Sequence, residues 1–439
     1  MSMQACGTGT LTRVRRVLAG TALALVAGIL VDPLPSDAAP TVAAGTPAAR
    51  PDVVRADAAR ADAARADAAP TVAAGTSAAR PDAARADAAR LGLPAPTGRH
   101  PVGTTSLHLV DPTRTDPLAP TARPRELMVR LWYPAAPGRE PLAAYQTPRA
   151  SAIYAGYLNF VNGTNYPPDL LAFPSHSRQD APATGRRRPV VLFSPDGTSN
   201  AVDATGLHEE LASRGYVVAG IDHTFDAGVV EFPGGRVEIG RSDLAAEVLR
   251  EVRVADARFV LDSLAAVAAG HNPDAGHRDL PRGLGRALDL TRVAAYGHGF
   301  GSRTVVEALA RDRRVDAGVV LNGDPLGPAS LDRPLLMMGD QRHRRADAPE
   351  SAAFHDRLRG RRLHLVIEGA GHDDLTDIAV FKSGIRTEAF FVTGPIDGVR
   401  ALAVERAYVT AWLDRVLRGR PGPLLRGESR RYPEVDFQP

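Results

Sequence analysis

Beyond residue 90 the apolar positions fall into short runs separated by longer mixed stretches. Two runs alternate: Thr105–Val110 and Glu126–Tyr133 place apolar side chains at every second residue, which predicts an opening antiparallel pair of strands. Six later runs are continuous: Pro189–Phe193, Tyr216–Ile221, Arg292–Tyr296, Ala317–Leu321, Pro334–Met338 and Leu363–Ile367. A strand covered on both faces has this pattern, and the intervening segments are long enough for crossover helices. The clearest helices are 242–269 and 399–417; in the second, Leu402, Tyr408, Val409, Trp412, Leu413 and Val416 form one apolar face. The predicted class is α/β, a doubly wound, mostly parallel sheet with antiparallel opening strands.

The first 90 residues follow different rules. Arg13, Arg15 and Arg16 precede Val17–Val31, a run of 15 small and apolar residues broken by Pro33 and Pro35. A membrane span needs about 20 apolar residues, so 1–39 reads as an export signal, with an uncleaved anchor as the alternative. The expected location is outside the cytoplasm. Residues 40–90 repeat: Pro40–Thr46 returns as Pro70–Thr76, and Arg-Ala-Asp-Ala-Ala starts at Arg55, Arg60, Arg65 and Arg85. Without large apolar side chains this segment cannot build a core and is expected to be a disordered tether. The folded domain is expected over 91–439.

Composition narrows the classes further. The 53 basic residues exceed the 50 acidic ones by little, and no basic stripe is interleaved with aromatics, so no nucleic-acid partner is expected. The single cysteine, Cys6, excludes an internal disulfide framework and metal sites built on several thiolates. His372–Asp373–Asp374 lacks companion ligands at a useful spacing, so neither a metal nor another cofactor is expected.

The candidate chemistry lies at Gly297–His298–Gly299–Phe300–Gly301, between a predicted strand and a helix from Ser302 to about Arg311. Strand, glycine-flanked turn and helix form the context of a nucleophile elbow, Gly-x-Ser-x-Gly. The apex here is Gly299, so no nucleophilic side chain is presented.

The segments Val102–Asp111, Arg125–Pro134 and Glu210–His223, with Gly297–His298 and Gly301, resemble the platelet-activating factor acetylhydrolase-like and lipase family of the α/β-hydrolase superfamily over roughly residues 100–418. The resemblance implies a metal-free serine esterase acting on short esters of lipids. It also maps the triad. The serine position is Gly299, the acid position is Asn322 and the base is His372. The oxyanion donors would be the N–H groups of Gly197 and Phe300, but Asp196 puts a carboxylate in the oxyanion loop where a glycine is expected. Asp340, after the strand ending at Met338, is the candidate displaced acid, with Asp324 weaker; Ser302 should point away from the cleft. Loss of a triad nucleophile costs roughly a million-fold in turnover, so an impaired enzyme is expected. An active esterase with displaced residues and a non-enzymatic lipid-binding or interaction protein are the alternatives. Expected partners are a small ester or lipid ligand and a membrane surface. Residues 151–188, with Tyr154, Tyr157, Phe160, Tyr166 and Phe173, are an insertion that either lids the cleft or packs over the sheet edge.

Overall fold

The computed structural model of the chain describes residues 91–241, 243–324, 327, 331–386 and 391–439. The expected export signal and repeat tether lie outside the described residues. Among those described, no helix is long and apolar enough to cross a membrane.

Each predicted run falls on a strand, with Tyr216 and Pro334 one residue before theirs. The opening pair is β1 (Val102–Thr115) and β2 (Pro124–Pro134), antiparallel with Thr105 opposite Leu131. Two elements follow that the sequence pattern did not reveal: β3 (Leu142–Ala144) and helix α1 (Pro148–Asn162), started by Thr147 and closed by the left-handed Gly163. Then come β4 (Pro174–Gln179), β5 (Arg188–Ser194), α2 (Thr205–Ser213), β6 (Val217–Asp222), a small hairpin β7 (Val229–Glu231) and β8 (Val237–Ile239), and α3 (Ala246–Ala268). The second half contains β9 (Leu288–His298), α4 (Gly301–Arg311), β10 (Val315–Leu321), β11 (Leu335–Gly339), α5 (Pro349–Arg357), β12 (Arg362–Ile367), α6 (Gly398–Arg418) and β13 (Val435–Gln438).

Among the described residues, eleven strands form one sheet in the order β13-β12-β11-β10-β9-β5-β6-β2-β1-β4-β3. The run from β12 to β6 is parallel, and β2 joins β6 antiparallel. Each face carries its own apolar layer. Val260, Leu264, Val305 and Leu309 of α3 and α4 cover one face, and Leu207, Leu211, Val404, Tyr408 and Trp412 of α2 and α6 cover the other. This is the doubly wound sheet, with the predicted face of α6 inward and Trp412 Nε1 donating to Gly318 O at 3.1 Å. The insertion aromatics mostly pack: Phe173 stacks on Tyr145 at 5.0 Å and meets Phe381 at 5.6 Å, while Phe160 is exposed.

In open α/β sheets ligands bind beyond the carboxyl ends of the strands. Those ends carry Asp196 after β5, Gly299 after β9, Asn322 after β10, Asp340 after β11 and His372 after β12.

A candidate active site occupied by its own carboxylate

The elbow is built as a nucleophile elbow. β9 enters it buried, Gly299 adopts φ +51°, and α4 leaves it. Both flanking glycines are required by close approach: a Cβ on Gly301 would strike the carbonyl of Ser194, and one on Gly297 would strike the backbone of Gly301. Gly299 N donates to Leu321 O at 2.9 Å, which anchors the apex to β10. Only the apex side chain is missing.

Asp196 fills that place. A Cβ on Gly299 would collide with all three atoms of the Asp196 carboxyl group. Asp196 Oδ1 accepts from Phe300 N at 2.6 Å and from Gly197 N at 2.8 Å. These are the two donors assigned to the oxyanion hole, and both converge on one oxygen of the protein itself. Oδ2 lies 3.0 Å from His372 Nε2. The two side chains are 17% and 12% exposed, so little water screens the pair. Burial opposes the charge of Asp196, but the hydrogen bond and charge of His372 and the Phe300 N–H outweigh it. The carboxyl group is held well below the usual carboxylate range.

Around this contact the backbone of the histidine loop is fixed. His298 Nε2 donates to His372 O at 2.8 Å, which sets the tautomer of His298. Burial first, and the neighbouring His372 second, lower the pKa of His298 to about 4. Asn322 has φ +45°, and its Nδ2 donates to His372 O at 2.6 Å and to Gly371 O at 3.2 Å. Its Oδ1 accepts from Asp340 N at 2.6 Å. An aspartate here would face two carbonyl oxygens with no donor of its own. Asn322 therefore serves the backbone of the His372 loop.

Asp340, the candidate displaced acid, is engaged by the turn that follows it. Its carboxylate is turned to Arg342 Nη2 at 2.6 Å and His343 Nδ1 at 3.0 Å, because the short turn Gln341–His343 folds both side chains back onto it. Ser302 is fully buried, and its hydroxyl donates to Gly297 O at 3.1 Å, away from the cleft as expected. Asp324 is exposed and meets Ser351.

Two features escaped sequence reasoning. Arg253 of α3, 1% exposed, pairs with Asp226 and donates to Pro195 O at 2.5 Å and Asp196 O at 3.2 Å. Its guanidinium also lies 5.0 Å from the centre of the Phe300 ring, so one side chain braces both loops that supply the hole. Behind it, Ser194 Oγ lies 3.0 Å from His223 Nε2, and His223 Nδ1 lies 3.0 Å from Asp256 Oδ2. The order Ser-His-Asp is that of a triad, but the residues are 4%, 0% and 0% exposed and Asp256 is neutralised by Arg125. No ester reaches this serine, and the chain of bonds holds the end of β5.

Asp196, His298 and His372 each offer a ligand atom, all within 4.8 Å of one another. A tetrahedral metal with bonds of about 2.0–2.1 Å draws its ligand atoms to roughly 3.3 Å apart. His298 Nε2 is also committed to a carbonyl. The present spacing fits a hydrogen-bonded group.

A sequence profile described as platelet-activating factor acetylhydrolase, isoform II, matches residues 253–419. The chain is 26% identical over 385 residues to a probable 1-alkyl-2-acetylglycerophosphocholine esterase of Arthroderma benhamiae, covering 79% of this chain and 93% of that one. It is 24% identical over 260 residues to a platelet-activating factor acetylhydrolase of Cavia porcellus, covering 53% and 58% respectively. The solved structure of a ferulic acid esterase from Streptomyces cinnamoneus superposes with a TM-score of 0.67 at 35% identity, over 79% of this chain and 98% of that one. With the sheet order, the elbow, the two converging N–H groups and the histidine after β12, the chain belongs to the platelet-activating factor acetylhydrolase-like family of α/β hydrolases, with glycine at the apex of its elbow and asparagine after β10.

Proposed function

We propose that this chain is an exported family member in which the serine-esterase cycle is blocked at two points. The elbow presents no hydroxyl to attack an ester, and the hole that would hold the tetrahedral oxyanion is filled by a permanent negative charge. The observation that carries this reading is the convergence of Phe300 N and Gly197 N on Asp196 Oδ1. Removing a single oxyanion donor costs about 10²–10³-fold in turnover, and here both donors are engaged. The old cleft is left to bind an acyl or lipid ligand.

A second reading is favoured by the contact of Asp196 Oδ2 with His372 Nε2. Oδ2 would attack the ester carbonyl, and the alkoxide would leave as the alcohol with a proton from the imidazolium of His372, leaving a mixed anhydride on Asp196 and a neutral imidazole beside it. His372 would then take a proton from water while the hydroxide attacks Cγ. The charge developing on Oδ1 would meet two N–H groups already in place, and collapse would release the carboxylic acid and restore Asp196.

One assay separates them: hydrolysis of p-nitrophenyl acetate by the full chain, Asp196→Asn, His372→Ala and the pair Asp196→Gly with Gly299→Ser. A silent native chain with activity appearing in the double variant supports the blocked-cycle reading. Native turnover lost in both Asp196→Asn and His372→Ala overturns it and establishes the aspartyl route.

A further inference from the structure

The amino ends of the parallel strands hold a second feature unrelated to the elbow. Arg188 opens β5 and Asp196 follows its end, so at about 3.3 Å per residue the two lie on the order of 20 Å apart. Around Arg188 a surface cavity of about 300 Å³ is lined by Pro189 and seven arginines. The formal net charge of the whole chain is only +3, so this is a local concentration of charge.

The carboxylates near these arginines do not balance them. Arg187 and Arg292 share Asp289, Arg418 and Arg420 share Asp414, and Arg214 pairs with Glu210. Arg99 and Arg188 have no carboxylate partner among the described residues; both lie 3.4 Å from His100 Nε2. The Nε of Arg188 is buried without a hydrogen-bond partner. Such an unpaired buried donor carries the full cost of its lost hydration until an acceptor reaches it. Burial first, and then Arg418, Arg186 and Arg99, lower the pKa of Arg188, the response of a cation among cations.

The cluster is also held in place. The Arg418 guanidinium stacks 3.7 Å from the centre of the Tyr216 ring and donates to Arg214 O at 3.1 Å and Gly215 O at 2.5 Å. Tyr216 in turn donates to Asp414 at 2.7 Å. A preorganised group of guanidinium forks, with no aromatic and no aliphatic wall beyond one proline, recognises charge and oxygen geometry and offers nothing to an acyl chain.

We propose that the cavity lined by Arg99, Arg188, Arg214, Arg292 and Arg418 is a binding site for a phosphate group, on the opposite end of the sheet from the esterase-like cleft. The phosphate would place its oxygens against Arg99 and Arg188 and supply the acceptor that Arg188 Nε lacks. Two sources carry this chemistry: a free phosphate or diphosphate, and the phosphomonoester headgroup of a lipid.

The test is calorimetric titration of the full chain with inorganic phosphate and with pyrophosphate, at ionic strength matched with sodium chloride. A parallel arm measures co-sedimentation with phosphatidylcholine vesicles with and without phosphatidic acid. Saturable binding of either probe, weakened on the order of tenfold by Arg188→Ala and again by Arg99→Ala but not by Arg430→Ala, supports the site. Pyrophosphate binding assigns it to soluble anions, and binding confined to phosphatidic acid vesicles assigns it to the headgroup. Arg99 is exposed on a loop, so Arg99→Ala tests the site even where a change at Arg188 disturbs β5. No saturable binding of any probe, or binding unchanged in both variants, overturns the proposal.

Discussion

Asp196 and Gly299 depend on each other. Either a side chain stands on the apex or a carboxylate occupies the space beside it, and the geometry excludes both together. Gly299→Ser alone therefore adds a collision and a left-handed non-glycine residue, and should lower unfolding free energy by about 1–3 kcal/mol. In an Asp196→Gly background the same serine should cost markedly less, which urea unfolding of the four members of a double-mutant cycle would measure. Additive effects would show that the two positions do not share space. His298 allows a second expectation. Its pKa falls from an ordinary value near 6.5 to about 4, so below pH 6.5 the unfolded chain gains a proton that the folded chain refuses. Stability should thus fall between pH 6.5 and 4 by up to about 3 kcal/mol from this residue. His298→Gln retains an N–H for the His372 carbonyl and should flatten the slope of the urea midpoint across that range; an unchanged slope would refute the assignment. At this scale the sequence was partly legible. Spacing and resemblance single out Gly299, Asn322, His372, Gly197 and Phe300, and the sequence also shows the unexpected charge of Asp196; the structure brings these groups to one end of the sheet. That this charge reaches both donors and the histidine depends on the path of one loop, which residue order does not encode.

Among the elements, α3 has the least obvious task. It covers a face of the sheet, yet through Arg253 it also ties the loop after β5 to the turn after β9. Arg253→Met would strand Asp226 in a buried setting and should cost about 3–5 kcal/mol. Arg253→Met with Asp226→Leu should recover much of that loss, as thermal or urea unfolding of the three chains would show. Full loss in the double variant would mean that the contacts to Pro195 and Asp196, rather than the charge pair, dominate. Elements with long apolar runs or a clear helical face were readable in advance, such as β5, β9 and α6. The edge strands were not: β4 reads Pro-Ser-His-Ser-Arg-Gln, and its place in the sheet is set by pairing with β1 and β3 rather than by its own side chains. Helix α1 was hidden for a similar reason, since its buried positions are largely alanine and serine, which carry little periodic contrast.

For the molecule as a whole, two apolar layers enclose the sheet within residues 91–439, and the repeat at 40–90 has no large apolar side chains to add to either. Removing residues 1–90 should leave the melting temperature of the domain unchanged within about 2 °C, since a loss of 1 kcal/mol shifts a domain larger than 150 residues by roughly 2–4 °C. A larger fall in scanning calorimetry would show that the tether packs on the domain. The contact between Asp196 and the cleft has a further meaning at this scale. A carboxylate with one oxygen on two backbone N–H groups and the other on a histidine is the posture of an acid product about to leave an esterase. This chain carries that product covalently attached, so it never diffuses away. Any acid entering from solution competes with a tethered rival whose effective concentration reaches the millimolar range or above, and only a ligand that shifts the β5 loop gains the hole.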